Sequence, residues 1–235
     1  MENLLQNNKI YLEGIVVSEL QFSHEMYGEG FYTFYIEVPR LSDAKDQLFI
    51  TVSERLIGNM DIKMGTELVV EGQLRSYNKF IDGANRLILT VFARNIDICK
   101  ERSKNPNQIF LNGFICKQPV YRTTPFGREI ADLLLAVNRA YNKSDYIPTI
   151  AWGRNSRFCK DLGVGDNIRI WGRLQSREYQ KKISEEEVIK KIAYEVSISK
   201  MEKVEDEENN DINEEEINDE VTISEEEEIE LAQNL

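Results

Sequence analysis

Apolar and polar residues alternate with a period of two over much of the first 203 positions. The clearest run is "DNIRIWGRLQSREY" (166–179). Ile168, Ile170, Gly172 and Leu174 fall on one side of it, and Arg169, Trp171, Arg173, Gln175, Arg177 and Tyr179 on the other. This alternation marks a half-buried β-strand, because successive side chains leave a strand on opposite faces. Residues 107–117 alternate in the same way, "TTPFGRE" supplies a turn around Pro125 and Gly127, and "IADLLLAVNR" and "YIPTIAWG" are two further strand-like runs. "RNSRFCKDLG" has the length of a short helix and stops at Gly163, and "IAYEVSISKMEKV" closes the set.

The same order occurs once before. "NKIYLEG" (8–14) returns as "NQIFLNG" (107–113), and "IEVPR" (36–40) as "LAVNR" (135–139), both at an offset of 99. One residue is inserted after Arg139. Ile150 then matches Ile50, Gly165 matches Gly65, and "WGRLQS" (171–176) overlies "EGQLRS" (71–76) at an offset of 100. The last strand needs a larger offset, because "YQKKISEEEVIKK" lengthens the loop before it. A repeat this long is a duplicated domain. Three strands, a helix and two strands is the order of an OB-fold barrel, and another small β-barrel of similar strand count also fits the pattern. The expected fold is all-β: two tandem OB-fold five-stranded barrels, each with a short helix between strands three and four, at 1–103 and 104–203. An acidic tail at 204–235 is expected to be disordered.

Charge separates these blocks. Residues 1–100 carry 10 basic and 14 acidic side chains, 101–203 carry 19 and 12, and 204–235 carry 15 acidic and no basic ones. The overall charge of −12 therefore hides a second repeat of +7, which suits a polyanionic partner. Cys99, Cys116 and Cys159 lack metal-ligand or disulfide spacing, so no metal or cofactor is expected. The single histidine, His24, has no nucleophile paired with it in the pattern, which argues against an enzyme. The N-terminus has no basic and apolar leader and no apolar run reaches 18 residues, so a cytoplasmic protein without membrane contact is expected.

The polar side of 166–179 carries guanidiniums that suit phosphates and aromatic rings that suit unstacked bases. A solvated barrel exterior, with its aromatics packed under a loop, fits the same pattern. The first repeat has Val69, Glu71, Gln73, Arg75, Tyr77 and Lys79 on its matching side, so the glycine and leucine of the fold are kept while the polyanion-facing chemistry is diluted.

"NGFICKQPVYRTTPFGREIADLLLAVNRAY", "YIPTIAWGR" and "GVGDNIRIWGRLQSREY" together resemble the bacterial single-stranded DNA-binding protein family over roughly 107–203, and the first repeat resembles it more weakly. The resemblance implies sequence-nonspecific binding and protection of single-stranded DNA in replication, recombination or repair, by a nucleoid-associated protein. It places base-stacking aromatics at Tyr141, Tyr146, Trp152 and Tyr179, with Phe126 in the first hairpin turn as a lesser candidate. Trp171 and the basic residues Arg122, Arg128, Arg139, Arg154, Arg169, Arg173 and Arg177 complete the expected nucleic-acid-binding set. In the first repeat the positions matched to the four aromatics are Ser42, Asp46, Val52 and Lys79, so that barrel is not expected to bind in the family's manner. Family members assemble with four barrels, so two per chain imply a homodimer. The family's tail docks replication and repair proteins through a Pro-Phe tip, whereas this tail ends "EIELAQNL". An RNA-binding OB protein and an OB-fold protein–protein adaptor are the alternatives.

Overall fold

The computed structural model describes residues 6–58, 60–81, 83–182 and 188–204, with side chains described outside 179–191. The acidic tail beyond Val204 lies outside the described residues.

The first repeat contains β1 (Asn8–Val16), β2 (Gln21–Met26), β3 (Glu29–Pro39), β4 (Lys45–Ser53), α1 (Glu54–Ile57), β5 (Glu67–Ile81) and β6 (Ala84–Ile98). The second repeats the series: β7 (Asn107–Ile115), β8 (Val120–Thr123), β9 (Glu129–Arg139), β10 (Lys143–Trp152), α2 (Arg154–Phe158), β11 (Asn167–Lys182) and β12 (Val188–Lys203), with a 3-10 turn (Cys159–Asp161) after α2. In each repeat the first strand also pairs back on the third (β1 with β3, β7 with β9), and β4 with β6 and β10 with β12 pair in parallel, which closes two OB-fold barrels. The short β2 and β8 form arms on β3 and β9, an addition to the five expected strands. The alternating apolar residues fill the interiors: Leu12, Ile36, Leu48, Ile50, Val70 and Leu74 in the first, and Leu111, Leu135, Ile147, Ile168, Ile170 and Leu174 in the second, all at most 2% exposed.

Gly72 and Gly172 are kept for a steric reason. Each lies at a register shift between the last two strands, and a Cβ there would sit 2.2 Å from the carbonyl oxygen of Phe92 or Ser197. Glycine alone tolerates that approach of backbone to backbone.

The structure corrects the alignment of the repeats in two places. In β4–β6, Ile50 pairs with Val91, and in β10–β12, Thr149 pairs with Val196. Phe31 pairs with Ser53, and Ile130 with Trp152. The offset of 99 therefore runs through the whole of β4 and β10, and the inserted residue falls at their end, before the helix. The equivalents of Tyr146 and Trp152 are then Gln47 and Ser53 instead of Asp46 and Val52. Second, the segment expected as a longer loop continues β11 and β12 as a paired ribbon out to Lys182 and Val188.

The barrels join edge to edge. β1 and β7 pair antiparallel, with Ile10 opposite Ile109, and the result is one twelve-stranded sheet, β2-β3-β4-β6-β5-β1-β7-β11-β12-β10-β9-β8. Two matched sets of contacts flank this seam. Asp145 Oδ1 accepts the Ser76 amide at 2.8 Å, and Asp46 Oδ1 accepts the Ser176 amide at 2.7 Å. Ser76 Oγ accepts the Tyr146 amide at 2.7 Å, and Ser176 Oγ the Gln47 amide at 3.0 Å. Arg75 reaches Asp145 at 3.0 Å, and Arg173 reaches Asp46 at 3.7 Å. The duplicated sequence thus folds as a pseudo-two-fold pair of barrels within one chain.

Candidate nucleic-acid interface

Alternation along β10 places Ile147, Thr149 and Ala151 inside the second barrel and Tyr146, Pro148 and Trp152 on its other side, where Ile150 between them is buried. Trp152 is 38% exposed at the end of the strand, where α2 begins with the exposed Arg154. Tyr146 is half-buried beside the seam, and burial raises its phenol pKa. Tyr141 occupies the turn from β9 to β10 at φ 64°, followed by Asn142 at φ 52°, and this left-handed pair leaves its ring 94% exposed. Phe126 stands at the tip of the β8–β9 hairpin, 93% exposed, with the exposed Arg128 beside it. The hairpin is closed by the Arg128 amide on Thr124 Oγ1 at 3.1 Å. Tyr146, Trp152, Tyr141 and Phe126 are therefore carried by one sheet face and the two turns that border it.

Several expected arginines are engaged by carboxylates. Arg122 Nε donates to Asp132 at 2.9 Å, Arg139 lies 3.5 Å from Asp145, and Arg177 lies 3.9 Å from Glu195. Glu195 also accepts from Gln175 Nε2 at 2.5 Å, and both residues are buried. Burial raises the carboxyl pKa of Asp132 and of Glu195, and the neighbouring Arg122 and Arg177 oppose the rise in both. A cluster of two carboxylates and two guanidiniums thus underlies this face. The sequence reading missed it, because Asp132 sits inside an apolar run and Glu195 lies on a distant strand.

β11 does not present its polar side as one surface. At the register shift at Gly172 the strand passes from the seam into the barrel wall. Before it, Trp171 packs on Phe110 at 5.2 Å between ring centroids and beneath Lys200 Nζ at 4.2 Å, and Arg169 lies 3.6 Å from Glu202. Trp171 lines a groove of about 630 Å³ over the seam with Tyr11, Glu71, Arg94 and Phe110. After the shift, Arg173 turns to Asp46 of the other barrel and Gln175 is buried. Trp171 thus belongs to the seam groove, apart from the face of Tyr146 and Trp152, and Arg169 is held by Glu202. Tyr179 lies on β11 opposite Lys191, and its side chain is outside the described residues. Two further contacts escaped the sequence reading: Lys160 Nζ sits 3.7 Å from the ring centroid of Tyr121, and Arg157 lies 3.2 Å from Glu129. Both pairs are assembled across elements, so no local spacing signals them.

Residues 106–217 match the model of the single-strand binding protein family. The chain is 36% identical over 81 residues to single-stranded DNA-binding protein 1 of Staphylococcus aureus, covering 32% of this chain and 48% of that one. It is 28% identical over 131 residues to the single-stranded DNA-binding protein of Thermus thermophilus, covering 48% and 50%. The chain thus spans about half the length of the curated relatives it matches. Among solved structures, the wild-type single-stranded DNA-binding protein from Thermus aquaticus superposes with a TM-score of 0.69 at 19% identity, covering 87% of this chain and 96% of that one. At that identity the likeness is one of fold, and it extends over both barrels. The family's model lies on the barrel that carries Tyr141, Tyr146 and Trp152, and both barrels have the fold of the Thermus aquaticus protein: the second barrel is similar to the single-strand binding protein family.

Proposed function

We propose that this chain binds single-stranded DNA without sequence preference through its second barrel, residues 104–203, and so protects exposed strands during replication, recombination or repair. The observation that carries the reading is the set of solvent-facing rings of Trp152, Tyr141 and Phe126 bordered by the exposed Arg154 and Arg128. Rings that reach solvent from one face offer π-surfaces to successive bases of any sequence, while guanidiniums meet the phosphates between them. A duplex keeps its bases stacked on one another and gives such rings nothing to hold. Arg122, Arg139 and Arg177 position the face through their carboxylate partners, and Arg128 and Arg154 make the phosphate contacts. Fluorescence titration with oligo-dT, oligo-U and duplex DNA of equal length tests the reading. Binding is expected to be tightest for oligo-dT and to weaken as salt rises, because neutralised phosphates release counterions. Equal or tighter binding to duplex DNA overturns it.

The chain is also proposed to act as a homodimer supplying four barrels. The groove over the seam, with Tyr11, Phe110 and Trp171 along it, supports this reading, because it straddles the pseudo-two-fold axis and suits an isologous contact. Light scattering at micromolar concentration is expected to give twice the chain mass. A monomer mass with and without oligo-dT refutes it.

A further inference from the structure

The arm that carries Phe126 and Arg128 has little backbone to hold it. β8 is 4 residues long, pairs with β9 from Val120–Asp132 to Thr123–Glu129, and stands at the end of the twelve-stranded sheet. A two-stranded ribbon twists readily and is marginal by itself in water. Side chains tie this one sideways to the helical segment that follows β10. Tyr121 on β8 donates its hydroxyl to Glu129 Oε1 at 2.5 Å, and Arg157 of α2 lies 3.2 Å from Glu129 Oε2. Lys160, in the 3-10 turn after α2, places Nζ 3.7 Å from the centroid of the Tyr121 ring. The backbone joins in: Gly153, between Trp152 and Arg154, donates its amide to the Glu129 carbonyl at 2.9 Å.

Each of these side-chain contacts is weak singly, because Arg157 is 60% exposed and exposed ion pairs contribute little. They share one carboxylate and one ring, however, so ordering Tyr121 and Glu129 serves all of them together. The first barrel shows what the set is for. With an offset of 99 to the end of β4 and 100 after it, the equivalents of Tyr121, Glu129, Arg157 and Lys160 are Phe22, Gly30, Ile57 and Met60. Phe22 meets Tyr32 edge-on at 5.8 Å, and Ile57 and Met60 pack on the core. Arm and helix are bridged there by the exposed Arg55, 3.6 Å from Glu29. The barrels share arm, helix and core, so a set that served the fold alone would be expected in both. It is complete on the barrel whose face carries Trp152, Tyr141 and Arg154, and replaced at every position on the other.

We propose that Tyr121, Glu129, Arg157 and Lys160 are positioning residues for the single-strand site: a latch that fixes the β8–β9 arm against α2 and so holds Phe126 and Arg128 at a set distance from Trp152 and Arg154. The proposal rests on the reading of the second barrel as that site. Trp152 and Arg154 flank Gly153, which is bonded to the base of the arm, so the latch joins the two groups of contacts through one short path. An unlatched arm still reaches a strand, but it must be ordered at every encounter, a cost in entropy that a latched arm has met beforehand. The effect falls on dissociation. Exposed arginines govern arrival, whereas staying bound requires ring and guanidinium to be in place together.

The experiment uses the full chain and short oligo-dT, with association and dissociation followed by tryptophan fluorescence and hydrogen exchange of 120–129 measured on the same proteins. Glu129→Ala removes a negative charge beside a site for a polyanion, so electrostatics alone would tighten binding. The latch predicts the opposite: dissociation about fivefold faster, with faster exchange over 120–129. Phe126→Ala is expected to weaken binding by the native chain and to add little in the Glu129→Ala background, where the ring is no longer placed. A role in stability alone would leave the two effects additive. Lys160→Arg, which keeps a cation over Tyr121, is expected to bind as the native chain does, and Lys160→Gln to release the arm. Native or tighter binding by Glu129→Ala, or an undiminished effect of Phe126→Ala upon it, overturns the proposal. If oligo-dT does not bind the native chain, the reading of the second barrel fails by itself, and exchange then decides the latch: equal protection of 120–129 in the native chain and Glu129→Ala overturns it.

Discussion

Replacing Asp145 tests whether the seam holds the two barrels as one body. The carboxylate is completely buried, accepts the Ser76 amide at 2.8 Å, and faces Arg75 at 3.0 Å and Arg139 at 3.5 Å. Asp145→Ala leaves the Ser76 amide without its acceptor, which costs about 1–3 kcal/mol for a buried donor. It also leaves two neighbouring guanidiniums uncompensated. Breaking a fully buried ion pair costs about 3–5 kcal/mol, but the side chains of Arg75 and Arg139 are 18% and 30% exposed, so water relieves part of this. The expected total is about 3 kcal/mol, or roughly 6–12 °C in a domain pair of this size. Asp145→Asn keeps the acceptor for Ser76 and removes a charge whose burial already raises its pKa, so about half that loss is expected. The symmetric Asp46→Ala removes the Ser176 contact and two bonds to Arg40, at 2.6 and 2.9 Å, and is expected to cost at least as much. Calorimetry and urea unfolding read both quantities. A single transition is expected for the native chain, and two for the Asp46→Ala, Asp145→Ala double variant. A melting temperature within about 2 °C of the native one for Asp145→Ala refutes the reasoning, because its buried acceptor would then be dispensable.

Trp152→Ala is expected to lose about 1–3 kcal/mol of oligo-dT affinity with an unchanged melting temperature, checked by anisotropy and calorimetry. Glu195 has a raised pKa, so its protonated form gives stability that is present below the ordinary glutamate range and lost as pH climbs through the raised value. Glu195→Gln, neutral throughout, should therefore show a flatter dependence of melting temperature on pH between about 4 and 7; parallel curves for the two proteins count against the buried carboxyl. Deleting 205–235, which carries the 15 acidic side chains of the tail, is expected to tighten oligo-dT binding at low salt, where screening is least. Superimposable titrations at low salt would show that the tail does not compete for the basic barrel.

The sequence by itself determined the parts of this protein that depend on local periodicity. Alternation at 166–179 fixed the core side of β11, and the shared Gly72 and Gly172 marked the place where backbones meet at the register shift. Pro125 and Gly127 placed Phe126 in a hairpin turn, since a turn is set by the few residues within it. Charge and contact belong to residues far apart in the chain, and only the tertiary structure decided them. Arg173 and Arg177 look alike on one strand, yet one meets Asp46 of the other barrel and the other Glu195 of its own. Trp171 reads as a neighbour of Arg173, but the pairing of β11 with β7 sets it opposite Phe110, beside the seam. The Tyr35–Phe49 pair of the first barrel was hidden for the same reason: the two stand on different strands, and only strand pairing brings their rings to 5.0 Å.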